Sequence, residues 1–330
     1  MAYMLKAQRA VAGSRIIGLG HYQPERVLTN AELATMVDTS DEWIRTRTGI
    51  VERHIARDDE TVADMAAAAA RNAIADAGLE PDSVGLIVVA STSVMDHSPN
   101  VAGRVAAALE MTSPIIIDIN TACSGFEHGI AMADAAIRGG QVERAVVIGA
   151  EKLSAITDWT DRTTCVLTAD GAGAFVLEAA STEDEIGVGP TVWGSEPTMS
   201  RAVIVEDETG NKFTQDGRMI LRWAMSKASG ITRDAVEAAG LTMDDIQVFV
   251  PHQANLRIIE PLAEQLGLTD RTVVTDVQVS GNTSAASIPL GLSKWWHEGR
   301  IPSNAPTLLF GFGGGFAYAS QVVLTPNREP

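Results

Sequence analysis

The stretch Ala77-Gly78-Leu79-Glu80-Pro81-Asp82-Ser83-Val84-Gly85-Leu86-Ile87-Val88-Val89 reads as a helix end, a glycine turn and a buried strand. It has a counterpart. Ala239-Gly240-Leu241 recurs with Asp244 in the place of Asp82, followed by a second apolar run over residues 246–250. Gly240 stands 162 residues after Gly78, and the same spacing separates Asn120-Thr121 from Asn282-Thr283 and Gly149 from Gly311. Each Asn-Thr pair opens a small-residue segment that reaches a glycine (Gly129, Gly291), and Gly149 and Gly311 each close an apolar run. A spacing of nearly half the chain, kept at three distant places, marks a duplicated unit. We expect two halves related by a pseudo-two-fold, residues 1–175 and 176–330, joined between 160 and 180.

Each half alternates strand-like runs (84–90, 115–119, 145–149, 247–250, 307–310) with helical patterns such as 61–77 and 222–239. That alternation predicts α/β layering with largely buried sheets. Acidic segments at 183–185 and 206–211 read as surface loops. The 330 residues carry 25 Lys and Arg against 42 Asp and Glu, a net charge of -17, with 45% hydrophobic residues. Such a chain buries a sizeable core and repels phosphate, which argues against nucleic acid as a partner. Two cysteines exclude a disulfide framework and point to a reducing, cytoplasmic setting, and the N-terminus lacks the apolar core of a secretion signal. Residues 305–324 run for 20 positions without a charge, but Gly311, Gly313, Gly314 and Gly315 interrupt them. The segment reads as strand, glycine turn and strand rather than as a membrane span.

The duplication singles out one position: Cys123 in NTACSGF corresponds to Ala285 in NTSAASI, a thiol in one half and a methyl group in the other. Cys123 precedes a predicted helix reaching about residue 137, where unpaired N–H groups and the helix dipole favour thiolate over thiol. A small buried hydrophobe is the alternative reading, and it suits Cys165, in the strand-like run TTCVLT, better. His252 follows a strand, at the edge where doubly wound sheets present functional groups. His21, His54, His97 and His128 show no metal-ligand spacing, His297 sits in a Trp-rich helical stretch, and no metal site is expected. Asn282 is either an N-cap or a functional amide brought towards Cys123 at the pseudo-two-fold. The run Gly311 to Phe316 has no phosphate-loop spacing, so it is a plain tight turn or one that offers N–H groups to an oxyanion. Arg45, Arg47, Arg53 and Arg57, with Trp43 just ahead, form either an anion-attracting island or a solvated face.

Together these residues resemble β-ketoacyl-acyl-carrier-protein synthase III, of the thiolase-like superfamily. The resemblance rests on DEWIRTRTGIVERHIA (41–56), TACSGF (121–126), DGAGA (170–174), VPHQANLRII (250–259), GNTSAAS (281–287) and FGGGF (312–316). It implies an α/β fold in a five-layered α-β-α-β-α arrangement and a homodimer. It also implies that Cys123 is acylated by an acyl-CoA and then condensed with malonyl-acyl carrier protein (ACP). His252 and Asn282 would stabilise the enolate formed as CO2 leaves, and the N–H groups of Cys123 and Gly314 would form the oxyanion hole. Trp43 and Arg162 would sandwich the adenine of coenzyme A, Arg47 would lie near its phosphates and Asn255 would touch the pantetheine arm. No cofactor is implied, since coenzyme A enters as the substrate thioester.

Some positions depart from the family pattern. Arg222 and Arg257 of the carrier-protein docking surface are kept, but Glu264 and Gln265 stand where lysines are common. Ser98 stands where an aromatic residue of the dimer partner can floor the acyl pocket, which predicts a deeper pocket for branched or medium primers. Thr168-Ala169 replaces Phe-Gly before Asp170. The same triad occurs in polyketide and quinolone starter enzymes and in hydroxymethylglutaryl-CoA synthase relatives. The order Cys, His, Asn also fits papain-like hydrolases, although Cys123 lacks the CGSC[WY] context and more than 100 residues precede it.

Overall fold

The structure is a computed structural model that describes residues 11–96 and 98–327. His97 and the first ten residues of the N-terminus read above lie outside the described residues. In chain order the first strands are β1 (Ser14–Tyr22), β2 (Arg26–Thr29), β3 (Glu52–Ile55), β4 (Leu86–Ala90), β5 (Ile115–Ile119), β6 (Arg144–Lys152) and β7 (Asp170–Ala179). They are followed by β8 (Val192–Ser195), β9 (Val203–Ile204), β10 (Thr214–Gln215), β11 (Val248–Pro251), β12 (Thr272–Val273), β13 (Pro306–Phe312) and β14 (Ala317–Leu324). Helices α1 (Asn30–Leu33), α2 (Asp41–Thr48), α3 (Val62–Asp76), α4 (Val101–Ala108), α5 (Gly125–Arg138) and α6 (Leu153–Ile156) belong to the first part. Helices α7 (Gly217–Trp223), α8 (Ser229–Ala238), α9 (Leu256–Leu266), α10 (Val277–Ser280) and α11 (Ser287–His297) belong to the second.

Two five-stranded sheets carry the duplication, in the orders β1-β7-β6-β4-β5 and β12-β11-β13-β14-β8. In each, three parallel strands are extended by two antiparallel ones. The spacing of 162 places the start of β11 on β4, of β13 on β6 and of α11 on α5, and it superposes the short 3-10 turns Ala122–Ser124 and Ser284–Ala286. The boundary at 175/176 falls inside β7, and the chain changes sheets between Ala179 and Val192.

Strand alternation builds the layers. Leu86 and Val88 of β4 and Val248 and Val250 of β11 face a shared central layer with Phe126 and Ile130 of α5 and Ile288 and Leu292 of α11. Ile87 and Val89 point the other way, onto α3 and α4, while Phe249 and Leu308 pack under α8 and α9. The result is five layers, with the two helices that follow the 3-10 turns buried between the sheets. Helix α3 shows how locally this is specified. Thr61 and Asp64 form a reciprocal capping box (2.9 and 3.1 Å), and the alanine-rich face lets β1 approach so closely that a Cβ on Gly20 would lie 2.2 Å from Ala73 N.

Several expectations need correction. The helix expected at 222–239 begins at Gly217, because Asp216 caps it (Oδ1 accepts from Arg218 N and Met219 N, 3.1 and 3.0 Å), and it runs through a π-helical turn, Ala224–Ala228, into α8. TTCVLT is a chain of turns rather than a strand: the Asp161 carbonyl accepts from Thr164 N and Cys165 N at 3.2 and 3.0 Å. Cys165 is nevertheless fully buried, against Leu28, Ile44, Ile50 and Ile259. Residues 305–324 fold as read, β13 and β14 joined by the glycine turn, and no helix among the described residues is long and apolar enough to cross a membrane.

Candidate active site

The two 3-10 turns meet where the halves meet. Each is held open by its own asparagine: Asn120 Oδ1 accepts from Ala122 N (3.2 Å) and Asn282 Oδ1 from Ser284 N (2.8 Å). Both put a non-glycine residue in the left-handed region, Ala122 at φ 46° and Ser284 at φ 47°, a strained conformation that surrounding structure must over-determine. Cys123 is the middle residue of the first turn, two residues ahead of α5 rather than inside it. The helix does not make it a resting thiolate. Burial pushes the Cys123 thiol up to about 12, with Ser284 working against that rise and Glu151 and Glu127 adding to it. The thiol is therefore protonated at neutral pH, contrary to what its place at a helix start suggests.

His252 leaves β11 into the same space. Its Nδ1 lies 2.8 Å from Ser287 Oγ, which also accepts from Gln253 N (3.2 Å). With that lone pair occupied, the serine proton is free to satisfy Nδ1, and Nε2–H is left facing the cavity. Burial lowers the imidazole to about 3, so His252 is neutral. Asn282 is tied at both backbone groups, its N to Leu167 O and its O to Ala169 N (2.9 Å each), and with Oδ1 spent on Ser284 its Nδ2 is the free end. Thr168, between those two partners, pairs its hydroxyl with Thr157 (2.8 Å), which stiffens the segment behind Asn282. Cys123, His252 and Asn282 line one cavity of about 360 Å³ with Gly314, Phe312 and Phe213. The glycine turn closes on the nucleophile: a Cβ on Gly313 would lie 2.7 Å from Cys123 Cβ.

A cleft of about 600 Å³, lined by Thr163, Arg218, Asn255 and Arg257, shares Asn282, Ala254 and Ile220 with this cavity and leads from it to the surface. Asn255 caps α9 through Arg257 N (2.9 Å). Trp43 is half-buried on α2, with the Arg162 guanidinium 5.1 Å and that of Arg47 6.0 Å from its ring centroid. Arg162 thus stands over the indole at cation–π distance. Arg222, Arg257, Glu264 and Gln265 are exposed, and of these Arg257 lines the cleft. Ser98 is exposed and does not line the cavity within one chain.

The arginine island divides. Arg45 pairs with Asp41 (2.7 Å), whereas Arg53 is wholly buried, donating to Leu28 O, Asn30 Oδ1 and Val166 O at 3.2, 2.7 and 2.8 Å. Arg53 is thus neither a solvated nor an anion-facing residue; it ties the two-stranded β2–β3 sheet to the turn whose Leu167 holds Asn282. Sequence reading passed over the buried carboxyls Glu127 and Glu151. It also passed over Ser284, although the 162-residue spacing places that serine opposite Ala122 just as it places Ala285 opposite Cys123.

Comparison with known proteins places this site in a family. A family model described as 3-oxoacyl-[acyl-carrier-protein] synthase III matches residues 117–197, and its C-terminal counterpart matches 236–325. The chain is 54% identical over 314 residues to β-ketoacyl-[acyl-carrier-protein] synthase III 4 of Streptomyces coelicolor, covering 95% of this chain and 99% of that one. The chain belongs to the β-ketoacyl-ACP synthase III family. The synthase of Acidiphilium cryptum is 44% identical over 93% of this chain and 97% of its own. Among solved structures, 3-oxoacyl-ACP synthase III of Aquifex aeolicus matches with a TM-score of 0.90 at 38% identity, over 95% of this chain and all of that one. The priming β-ketosynthase of the R1128 polyketide pathway matches with a TM-score of 0.93 at 35% identity over the whole of both chains. The chain is accordingly a thiolase-fold acyltransferase, a condensing enzyme of fatty-acid biosynthesis. The hydrolase reading falls away.

Proposed function

We propose that this synthase transfers an acyl group from acyl-CoA to Cys123 and condenses it with malonyl-ACP, releasing CoA, CO2 and 3-oxoacyl-ACP. The observation that carries this is the convergence of Cys123, His252 and Asn282 on one buried cavity with a cleft running out past Asn255 and Arg257. Cys123 sulfur attacks the thioester carbon, the thiol proton ends on the departing CoA, and the N–H groups of Cys123 and Gly314 hold the oxyanion between. Malonyl thioester then binds with its carbonyl oxygen between His252 Nε2–H and Asn282 Nδ2–H. Two neutral donors suit an oxygen that gains charge as CO2 leaves. The enolate carbon attacks the acyl-cysteine carbonyl, and collapse releases the Cys123 thiolate, which takes up one proton from solvent to regain the resting thiol.

In the same proposal Trp43 and Arg162 part to take the adenine, Arg47 meets the phosphates, Asn255 contacts the pantetheine arm and Arg222 with Arg257 docks the carrier protein. No cofactor enters these steps. Strand β5 supports a homodimer: it is the open edge of its sheet, and Ile115 and Ile116 are 44% and 42% exposed there, an edge that soluble proteins cover or blunt. A partner copy would bring its Ser98 to the acyl pocket and leave room for branched or medium primers. Two free cysteines, one of them the nucleophile, fit a cytoplasmic setting. The test is a panel of acyl-CoA primers with malonyl-ACP, read as 3-oxoacyl-ACP formed. Condensation of isobutyryl- and hexanoyl-CoA supports the reading; turnover of acetyl-CoA alone overturns the primer assignment, and no turnover of any primer overturns the reaction.

A further inference from the structure

Cys123 has a high thiol affinity for its proton, and His252, which presents an N–H donor to the cavity, is not placed to take it. The pseudo-two-fold supplies what the triad lacks. In the first turn the left-handed residue is Ala122 and the next carries the thiol; in the second the left-handed residue is Ser284 and the next is Ala285. The two reactive groups therefore occupy staggered positions in facing turns. Ser284 is 2% exposed, it lines the cavity with Cys123, and its hydroxyl has no partner at hydrogen-bond geometry among the described residues. A buried hydroxyl left unpaired is costly, and a strained residue at a reactive site is a place to look for a function.

We infer that the Ser284 hydroxyl is a hydrogen-bond donor to the Cys123 sulfur, engaged as negative charge builds there during acylation. This rests on the reading of Cys123 as the acylated nucleophile. As sulfur attacks the thioester its proton passes to the leaving CoA thiolate; Ser284 keeps its own proton throughout, bonding sulfur while it is charged and releasing it once the new carbon–sulfur bond has formed. The groups facing the sulfur are Glu151 from β6, Glu127 from α5 and His252 after β11. Glu151 Oε2 already accepts from Ser91 Oγ, Thr92 N and Ser93 N at 3.1, 3.1 and 3.0 Å, and from the Ser93 hydroxyl as well, whereas Ser284 also works to hold the Glu151 carboxyl down against burial, so the sulfur draws the Ser284 proton in competition with Glu151. Glu127, with no partner for either oxygen among the described residues, has no proton acceptor or donor role towards sulfur that geometry supports.

The test compares wild type with Ser284→Ala and Ser284→Gly. Ala122 holds an alanine at φ 46°, one degree from Ser284, so the alanine variant is compatible with the backbone, and glycine removes the strain as well as the hydroxyl. Below the thiol's pKa, the rate of Cys123 modification by iodoacetamide at fixed pH follows the thiolate fraction. Losing a hydrogen bond to a charged group lowers it by about 10-fold or more. Both variants should show that loss, and a matching loss in acylation by acyl-CoA, with melting temperatures close to wild type. An unchanged alkylation rate in either folded variant overturns the inference, as does a glycine variant that restores the rate lost in alanine, since strain would then be the cause. Failure of wild-type Cys123 to take an acyl group would instead overturn the functional reading and leave the alkylation comparison standing on its own.

Discussion

Replacing Gly313 by alanine probes the closeness on which acylation depends. The residue has φ 178°, extended backbone open to any amino acid, so the cost is one of space alone. The new methyl would sit 2.7 Å from Cys123 Cβ, 2.8 Å from its backbone N and 2.9 Å from Sγ. Carbon atoms in contact prefer about 3.5–4.0 Å, so the glycine turn and the cysteine turn must part by about 1 Å. Overpacking of this kind costs about 1–3 kcal/mol, a loss of several degrees in melting temperature for a domain of this size. The catalytic loss is larger. A 1 Å misplacement of a reacting group costs about 100-fold, and the methyl would also crowd the backbone N of Cys123, whose N–H is proposed to hold the oxyanion. Stopped acylation by acyl-CoA, followed as a mass increase on the intact protein, should therefore slow by at least about 100-fold in a protein that still melts cooperatively. A Gly313→Ala variant acylated within about threefold of wild type would refute the argument.

Arg162→Ala should raise KM for acyl-CoA several-fold with kcat little changed, because it removes one wall of the base site; a change confined to kcat would count against that role. Arg257→Glu should impair transfer with malonyl-ACP while sparing acylation by acyl-CoA, and equal loss of both would refute its assignment to carrier docking. Ile116→Asp on the β5 edge should shift the protein to monomer in light scattering, and an unchanged dimer would place the interface elsewhere. Glu127 is wholly buried, and burial pushes its carboxyl well above the usual 4.5. The folded chain keeps that proton where the unfolded chain has lost it, so stability falls as pH rises above about 4.5. Glu127→Gln should match wild type in denaturant midpoint on the acid side and exceed it increasingly towards neutral pH; parallel curves would show an ionised, compensated carboxylate.

Much of the architecture was legible because duplication repeats the local signals. The 162-residue spacing puts Cys123 and Asn282 in matching turns, and the burial of β4, β6 and β11 follows from their apolar runs, whereas the equally apolar β5 stays exposed at its sheet edge. What the sequence hid are groups whose meaning depends on enclosure. Arg53 looks like its neighbours in a basic run, and only folding turns it inward from β3 with the carbonyls of Leu28 and Val166 for partners. TTCVLT reads as a strand-like run, yet Asp161 curls it into turns. The cysteine at a helix start suggested a thiolate, but burial outweighs the helix.

The central claim is a division of labour, with Cys123 taking the acyl group and His252 and Asn282 serving the decarboxylated malonyl group. Its most direct test is a single-turnover chase, in which the acyl-enzyme of Asn282→Ala is formed from acyl-CoA and then mixed with malonyl-ACP. The account predicts that the variant acquires the acyl mass on Cys123 at close to the wild-type rate but discharges it about 100- to 1,000-fold more slowly. An Asn282→Ala enzyme that cannot be acylated, or one that condenses as fast as wild type, would contradict it.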